Sequence, residues 1–188
     1  MKICRAFLCF LLVFFSLNLL PLYAAGGPAS SPAPFANCES FGIQRFPEKK
    51  AAPTFYLKTI DGKVLGLSDF KGKAILVTFW LSYCEACKED IPAVEKLAAS
   101  KKDQFTFITI VSDGEKERRI RGVVEKYKLT APVLLDLKEK ISHAYGVTMA
   151  PTSFVIDPEG FMVGKIVGQR DWASAAAWSA LSELLTPR

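Results

Sequence analysis

Residues 74–92 read AILVTFWLSYCEACKEDIP, and this stretch decides the fold. Its first seven residues, Ala74 to Trp80, form an apolar run rich in branched and aromatic side chains, which is typical of a buried central strand. From Cys84 to Ser100 the apolar residues recur at helical spacing. The pair of cysteines Cys84 and Cys87 therefore lies where a buried strand ends and a helix begins.

That position has a chemical consequence for the two cysteines. The first turn of a helix has unpaired N–H groups and the positive end of the helix dipole, which stabilise a thiolate. We therefore expect Cys84 to be more acidic and more nucleophilic than a free cysteine. Cys87 lies three residues later on the same turn and can reach the Cys84 sulfur. The spacing predicts a redox pair in which Cys84 attacks a disulfide and Cys87 resolves the mixed disulfide.

Strands and helices alternate on both sides of this pair. Asp61-Gly62 is a good hairpin turn, and Pro158-Glu159-Gly160 is a second turn signal. The alternation predicts an α/β fold with a mixed central sheet and helices on both faces. Besides the central strand and its helix, we predict strands at 54–58, 64–67, 105–111, 133–136, 153–157 and 161–167, and helices at 115–128, 138–145 and 171–185.

The N-terminus resembles an export signal. Lys2 and Arg5 precede an apolar stretch over residues 6–20, and small residues follow at 24–26. We predict a signal peptide over residues 1–25, with an uncleaved anchor as the alternative, because a membrane span needs about 20 residues. Residues 26–51 are predicted to form a Pro/Ala-rich tether, and residues 52–188 the folded domain. The protein is then periplasmic or extracytoplasmic, either soluble after cleavage or anchored at its N-terminus.

The composition excludes other classes of protein. Half of the 188 residues are apolar and 23% are charged, which argues against a wholly disordered chain. The chain has 24 basic and 19 acidic residues, and the predicted signal removes two of the basic ones. The remaining excess of positive charge is small and dispersed, so we expect no nucleic-acid partner.

Cys38 has no role that the sequence assigns. Of the five cysteines, Cys4 and Cys9 fall in the predicted signal, which leaves three in a compartment that permits disulfides. Cys38 falls in the predicted tether. It is either an incidental thiol or a site for an intermolecular disulfide.

The run FWLSYCEACKEDIP, residues 79–92, resembles the active-site segment of thioredoxin-fold proteins. More narrowly, it resembles exported TlpA/ResA-type thiol–disulfide oxidoreductases of the redoxin superfamily. Three more segments are similar to theirs: residues 52–80, YGVTMAPTSFVIDPEG at 145–160, and GQRDW at 168–172. The resemblance implies a thioredoxin-like fold with an added N-terminal β-hairpin. It also implies a reversible Cys84–Cys87 disulfide and no cofactor or metal.

The resemblance also assigns residues to the substrate site. Pro151 matches the cis-proline that packs against the redox pair, which leaves the backbone of Ala150 free to pair with a substrate strand. Trp80 matches the aromatic residue that precedes the pair. Together with Glu85 and Ala86, between the cysteines, Trp80 and Ala150 are expected to bind substrate.

A carboxylate for proton transfer is the next expectation. ResA-type proteins carry a glutamate three residues after the second cysteine, and Asp90 stands there in this chain. Thioredoxin has a buried aspartate where Thr78 stands. Asp90 is therefore the candidate for moving protons to and from the thiols, with Glu89 as the alternative.

The direction of electron flow is predicted from charge. Glu85, Glu89 and Asp90 lie close to the pair, and Lys88 offsets them only in part. Negative charge raises the pKa of a thiol and so stabilises the thiolate less, which favours a reductase. The expected partners are protein dithiols or disulfides and a membrane electron-relay reductant. The resemblance suggests apocytochrome c, and thus cytochrome c maturation, or a copper-site protein as the client.

Other readings of the cysteine pair stay open at this point. A structural disulfide would constrain only a very short loop. A zinc site would need Cys38 and His143 as further ligands, and a Sco-like copper site needs a C-x-x-x-C spacing. A peroxiredoxin would have proline and threonine where Val77 and Leu81 stand. A redox-inert binding module is the non-enzymatic alternative.

Overall fold

The predicted central strand occupies the middle of a six-stranded sheet. A computed structural model of the chain describes residues 35–186, so the predicted signal peptide and residues 26–34 lie outside the described residues. The strands are β1 (Ile43–Ala51), β2 (Tyr56–Lys58), β3 (Val64–Gly66), β4 (Ala74–Trp80), β5 (Phe105–Val111), β6 (Val133–Leu135), β7 (Thr152–Ile156) and β8 (Phe161–Val167). The helices are α1 (Ala36–Phe41), α2 (Glu85–Ser100), α3 (Glu117–Tyr127), α4 (Lys140–Ala144) and α5 (Ala175–Leu185).

The sheet has the strand order β1-β8-β7-β4-β5-β6 and is mixed, as predicted. β4 runs parallel to β5 and antiparallel to β7. All seven residues of β4 are buried, because the strand is covered on both faces. The predicted hairpin forms a separate pair of strands, β2 and β3.

Alternate side chains of β4 pack into two apolar layers, one on each face of the sheet. This confirms that helices cover both faces. Leu76 and Trp80 pack on the side of Ile91 from α2 and Ile120 from α3. Phe79 packs on the opposite side, against Tyr145 beside α4. None of the helices formed by residues 35–186 is long and apolar enough to cross a membrane.

The domain begins earlier than the sequence predicted. Residues 36–51 form α1 and β1, so the tether predicted over residues 26–51 is wrong for that part. β1 pairs antiparallel with β8, with Ile43 opposite Ile166. Most side chains of β1 are exposed, so the strand lacks the alternating pattern that marks a half-buried strand. Backbone hydrogen bonds to β8 hold β1 at the edge of the sheet, and the side-chain pattern of β1 does not predict this pairing.

Cys38 lies in the core and not in a tether. Its side chain is fully buried on α1, and its Sγ donates a hydrogen bond to the carbonyl oxygen of Ala180 in α5, 3.2 Å away. Burial, followed by the hydrogen bond and the charge of Glu183, raises the pKa of the Cys38 thiol to about 12. The free thiol therefore stays protonated and packs as a small apolar side chain.

Candidate active site

Cys84 caps the N-terminus of α2, as the strand–helix junction predicted. The backbone N–H of Cys87 donates to the Cys84 sulfur at 3.2 Å. The two cysteines form a disulfide with an S–S distance of 2.12 Å and a Cα–Cα distance of 5.3 Å. Cys87 is fully buried, whereas Cys84 is half-buried. An attacking or leaving group can therefore reach the Cys84 sulfur, while Cys87 lies behind it.

A half-buried carboxylate fixes the loop that leads into the pair. Asp113, just after β5, accepts hydrogen bonds from the backbone N–H of Ser82 at 2.8 Å and from its hydroxyl at 2.5 Å. The backbone N–H of Cys84 donates to the carbonyl of Leu81 at 3.0 Å. Sequence reasoning did not assign Asp113, because its partner Ser82 is 31 residues away.

The loop before β7 lies against the accessible sulfur. The Ala150–Pro151 peptide bond is cis, as predicted. The Ala150 carbonyl oxygen is 3.8 Å from the Cys84 sulfur. Within residues 35–186 the N–H of Ala150 makes no hydrogen bond. The structure thus brings together Cys84, Ala150 and Pro151, and leaves a backbone donor open beside the disulfide.

Asp90 is the buried carboxyl of the site. It lies three residues after Cys87 on α2 and is only 4% exposed. Its Oδ2 accepts hydrogen bonds from the indole N–H of Trp172 at 3.1 Å and from the backbone N–H of Arg170 at 3.4 Å. Burial raises the pKa of Asp90 to about 6, although these hydrogen bonds favour the charged form and act against the rise. Asp90 can therefore gain or lose a proton close to neutral pH.

The alternative carboxylate, Glu89, lies at the surface. It is exposed and accepts a hydrogen bond from the side-chain amide of Gln169 at 2.7 Å. Thr78, at the place of thioredoxin's aspartate, is buried and shares a 2.7 Å hydrogen bond with the Ser153 hydroxyl. Of the three positions, Asp90 alone presents a buried carboxyl.

Asp136 is a second buried carboxylate, and its hydrogen bonds hold the start of α4. It accepts hydrogen bonds from the backbone N–H groups of Ile141 and Ser142 and from the Ser142 hydroxyl. These donors belong to α4, so the carboxylate satisfies the N–H groups at the start of that helix.

The residues between the cysteines are accessible from solvent. Glu85 is exposed and pairs with Lys88 at 2.6 Å. The hydrogen bond from Lys88 and its charge hold the pKa of Glu85 below its ordinary value. Ala86 is half-buried. Both residues border the half-buried Cys84.

Trp80 was expected to contact substrate, and the structure corrects this expectation. Its side chain is fully buried at the end of β4, because the strand is covered on both faces. The exposed apolar side chains near the pair are Tyr83, 60% exposed, and Met149, 53% exposed. Tyr83 precedes Cys84 and Met149 precedes Ala150 in the sequence, and this adjacency could have predicted that both lie at the substrate site.

The zinc and copper sites considered above would each need a set of ligands close together in the fold. Among residues 35–186, no three His, Cys, Asp or Glu side chains converge as metal ligands. His143 is exposed on α4 and lies 3.5 Å from Glu139. Cys38 is buried between α1 and α5.

A family model and a curated protein both match most of this chain. Residues 49–165 match the model of the AhpC/TSA family. The thiol-disulfide oxidoreductase ResA of Bacillus subtilis is 35% identical over 150 residues, which is 80% of this chain and 81% of that protein. The match therefore spans most of both chains.

Solved structures show the same fold. A thiol:disulfide interchange protein of the thioredoxin family from Chlorobium tepidum is 32% identical, with a TM-score of 0.61, over 74% of this chain and 99% of that chain. The exposed lipoprotein thioredoxin of Streptococcus pneumoniae is 34% identical, with a TM-score of 0.61, over 70% of this chain and 99% of that chain. The family match over residues 49–165 includes both the strand–helix junction and Pro151.

Proposed function

Since this chain belongs to the AhpC/TSA family, and within it is a thiol–disulfide oxidoreductase of the ResA/TlpA type, we propose that it reduces disulfides of exported proteins through Cys84 and Cys87. One observation carries the proposal. The accessible Cys84 sulfur lies beside the open backbone of Ala150, with the buried Cys87 behind it. A substrate strand that pairs with Ala150 would place its own disulfide over Cys84.

The reaction starts from the reduced protein. The Cys84 thiolate attacks one sulfur of the client disulfide, which forms the mixed disulfide and releases the first client thiolate. The Cys87 thiolate then attacks the Cys84 sulfur, which forms the Cys84–Cys87 disulfide and releases the second client thiolate. Two electrons pass to the client, and two protons complete its thiols. The N–H of Cys87, 3.2 Å from the Cys84 sulfur, is placed to stabilise the attacking thiolate.

Asp90 supplies a proton acceptor for the buried thiol. Cys87 must lose its proton before it can resolve the mixed disulfide. Asp90 lies one helical turn away, and burial raises its pKa to about 6. A carboxyl with such a pKa can take up that proton and later return it near neutral pH. Trp172 and Arg170 hold the carboxylate in place.

The charges that α2 itself carries support the direction of electron flow. Lys88 is paired with Glu85, so its positive charge is largely neutralised. Asp90 and Glu89 add negative charge on the same helix. The thiolate is therefore stabilised less than in strong oxidants of this fold, and the reduced protein gives up its electrons more readily.

Export and partners are part of the proposal. The predicted signal peptide supports a periplasmic or extracytoplasmic location, and one similar structure is described as an exposed lipoprotein. A protein outside the cytoplasm needs a supply of electrons, which a membrane-bound dithiol relay would deliver to Cys84–Cys87. An apocytochrome c or a copper-site protein would be the client, which would place the protein in cytochrome c maturation or copper-site assembly.

The test is redox equilibration of the Cys84–Cys87 pair in glutathione buffers. We expect a potential nearer the roughly −270 mV of thioredoxin than the roughly −120 mV of a strong periplasmic oxidant. A value above about −160 mV would overturn the reductase direction. Hydrogen peroxide serves as the competing substrate. If the reduced protein consumed peroxide faster than a peptide disulfide, a peroxidase would be favoured, although Val77 is buried and Leu81 carries no hydroxyl.

A further inference from the structure

A groove of about 360 Å³ lies beside the redox pair, between the start of α2 and the outer face of α3. We call it the α3 groove. Residues on both sides of Cys84 line it, so a molecule in the groove would adjoin the reacting sulfur. Its lining includes Tyr83, Glu85, Lys88, Arg119, Gly122 and Lys126.

The α3 groove has an excess of positive charge. The ammonium of Lys88 is neutralised by Glu85 at 2.6 Å. Arg119 and Lys126 are exposed, and within residues 35–186 neither forms an ion pair. Lys126 acts across the groove: after Lys88, its charge also helps to hold the pKa of Glu85 below the ordinary value. The single carboxylate of Glu85 offsets one of the three positive charges of the groove, so an excess of two remains on the α3 side, where the Lys126 ammonium also lies 5.1 Å from the ring centroid of Tyr127.

Gly122 leaves the middle of the groove open. It lies in the interior of α3, where glycine is among the least favourable residues for a helix. A Cβ built at this position meets no atom within 4 Å, so packing within the described residues does not require glycine. The missing side chain leaves the backbone of α3 accessible between Arg119 and Lys126. The exposed ring of Tyr83 forms an apolar border at the end next to Cys84.

We propose that the α3 groove docks the client polypeptide through acidic residues that flank its disulfide. This inference rests on the proposed function: a client that forms a mixed disulfide with Cys84 must place the residues next to its own cysteine beside Cys84. Carboxylates complement Arg119 and Lys126, which have no carboxylate partner within residues 35–186, and an extended backbone fits against Gly122. The Ala150 backbone then receives the strand at the disulfide, and the α3 groove selects the residues on one side of it.

The experiment reacts two short peptides, each in excess, with the reduced protein in a single turnover; kcat/KM and KM below are the second-order rate constant and the half-saturating concentration of that one reduction. Each carries one cysteine blocked as a mixed disulfide with 2-mercaptoethanol, and they differ only in having aspartate or lysine next to that cysteine. We expect kcat/KM to favour the aspartate peptide by about threefold or more at low ionic strength. The preference should vanish in 1 M salt, where the screening length is about 3 Å. The R119E/K126E double variant should prefer the lysine peptide.

A matched control reverses a charge far from the groove. Lys102 is exposed just beyond the C-terminal end of α2, about 24 Å along the helix axis from Cys84. Lys102→Glu should keep the wild-type ratio of the two kcat/KM values. Lys102→Glu reverses one charge and the double variant reverses two, so a shift half as large as that of the double variant would show that the net charge of the protein, and not the α3 groove, sets the preference.

Gly122→Leu tests the shape of the groove without changing its charge. Leucine is a good helix former, and it would fill the space above the α3 backbone. We expect a higher KM for the aspartate peptide, with the circular dichroism spectrum unchanged. An unchanged KM would overturn the docking site, as would equal kcat/KM values for both peptides in the wild type. Failure to reduce either peptide would instead overturn the proposed function.

Discussion

The indole nitrogen of Trp172 donates a 3.1 Å hydrogen bond to the carboxylate of Asp90. Both side chains are buried, and they come from parts of the chain that are 82 residues apart. The ring of Trp172 also contacts Phe41 of α1 edge-on, with ring centroids 5.2 Å apart. The segment at residues 168–172 thus links the N-terminal helix to the carboxyl group beside the redox pair.

Replacing Trp172 with phenylalanine should raise the pKa of Asp90 above its value of about 6. Phenylalanine keeps an aromatic ring against Phe41 but removes the donor that favours the carboxylate. The titration of the Asp90 carboxyl carbon, followed by NMR, measures this change. The matched control is Trp178→Phe, because Trp178 stacks on Phe105 and makes no hydrogen bond to Asp90. An unchanged pKa in Trp172→Phe would show that this hydrogen bond does not set the charge of Asp90.

Asp90→Asn should stabilise the protein at neutral pH but not in acid. The folded pKa of Asp90, about 6, is above its ordinary value of 3.8, so the folded state binds the proton more tightly. Stability is therefore lost as the pH rises from about 4 through 6, and above that the charged form costs up to about 3 kcal/mol.

Urea denaturation of the oxidised protein at pH 7.5 and pH 4 tests this prediction. The free energy of unfolding of Asp90→Asn should exceed that of the wild type at pH 7.5 and match it at pH 4. Glu159→Gln, in the exposed turn after β7, is the control and should show no such dependence. A variant less stable than the wild type at pH 7.5 would contradict the prediction.

Cys84 should be the nucleophile, because Cys87 is fully buried. In the reduced protein, iodoacetamide should modify Cys84 before Cys87. Cys87→Ser should accumulate mixed disulfides with a disulfide peptide, because nothing then resolves them, whereas Cys84→Ser should not. Mass spectrometry of the trapped species identifies the linked cysteine. Trapping through Cys87 in the Cys84→Ser variant would reverse the two roles.

Cys38 should be inert in the native protein. Burial is the main reason that the pKa of its thiol is raised to about 12, so almost none of it is thiolate at neutral pH. In a variant that begins at residue 35, iodoacetamide should leave Cys38 of the reduced native protein unmodified and should react with it only in denaturant. A dimer on a non-reducing gel that disappears in Cys38→Ser would show instead that Cys38 is accessible.

Gly122→Ala should stabilise the protein by about 0.5–1 kcal/mol, since alanine favours a helix interior and its Cβ meets open space. The same substitution at Gly164 should destabilise it by about 1–3 kcal/mol. A Cβ at Gly164 would lie 2.8 Å from a methyl carbon of Leu184 and 2.9 Å from one of Ile43. Thermal denaturation of both variants measures the difference. A loss of stability in Gly122→Ala would mean that α3 needs glycine for its own packing.

The central elements could be predicted from the sequence because their signals are local. The apolar run of β4 and the helical spacing of α2 placed Cys84 at the junction, and the structure has Cys84 as the residue that caps α2. The helix expected from residue 171 begins at Ala175, because residues 171–174 form a turn with Trp172 inside the core. The spacing of apolar residues indicates which face of a helix or strand is buried, and a few neighbouring residues are enough to show it.

Long-range pairing decided the remaining features. β1 joins the sheet through backbone hydrogen bonds, so its exposed side chains do not predict its place beside β8. The burial of Cys38 depends on how α1 packs against α5, and the pKa of Asp90 depends on burial and on Trp172. The sequence by itself determined that a redox pair starts a helix after a buried strand. Only the tertiary structure decided which carboxyl and which thiol are removed from water, because distant segments must pack together to exclude it.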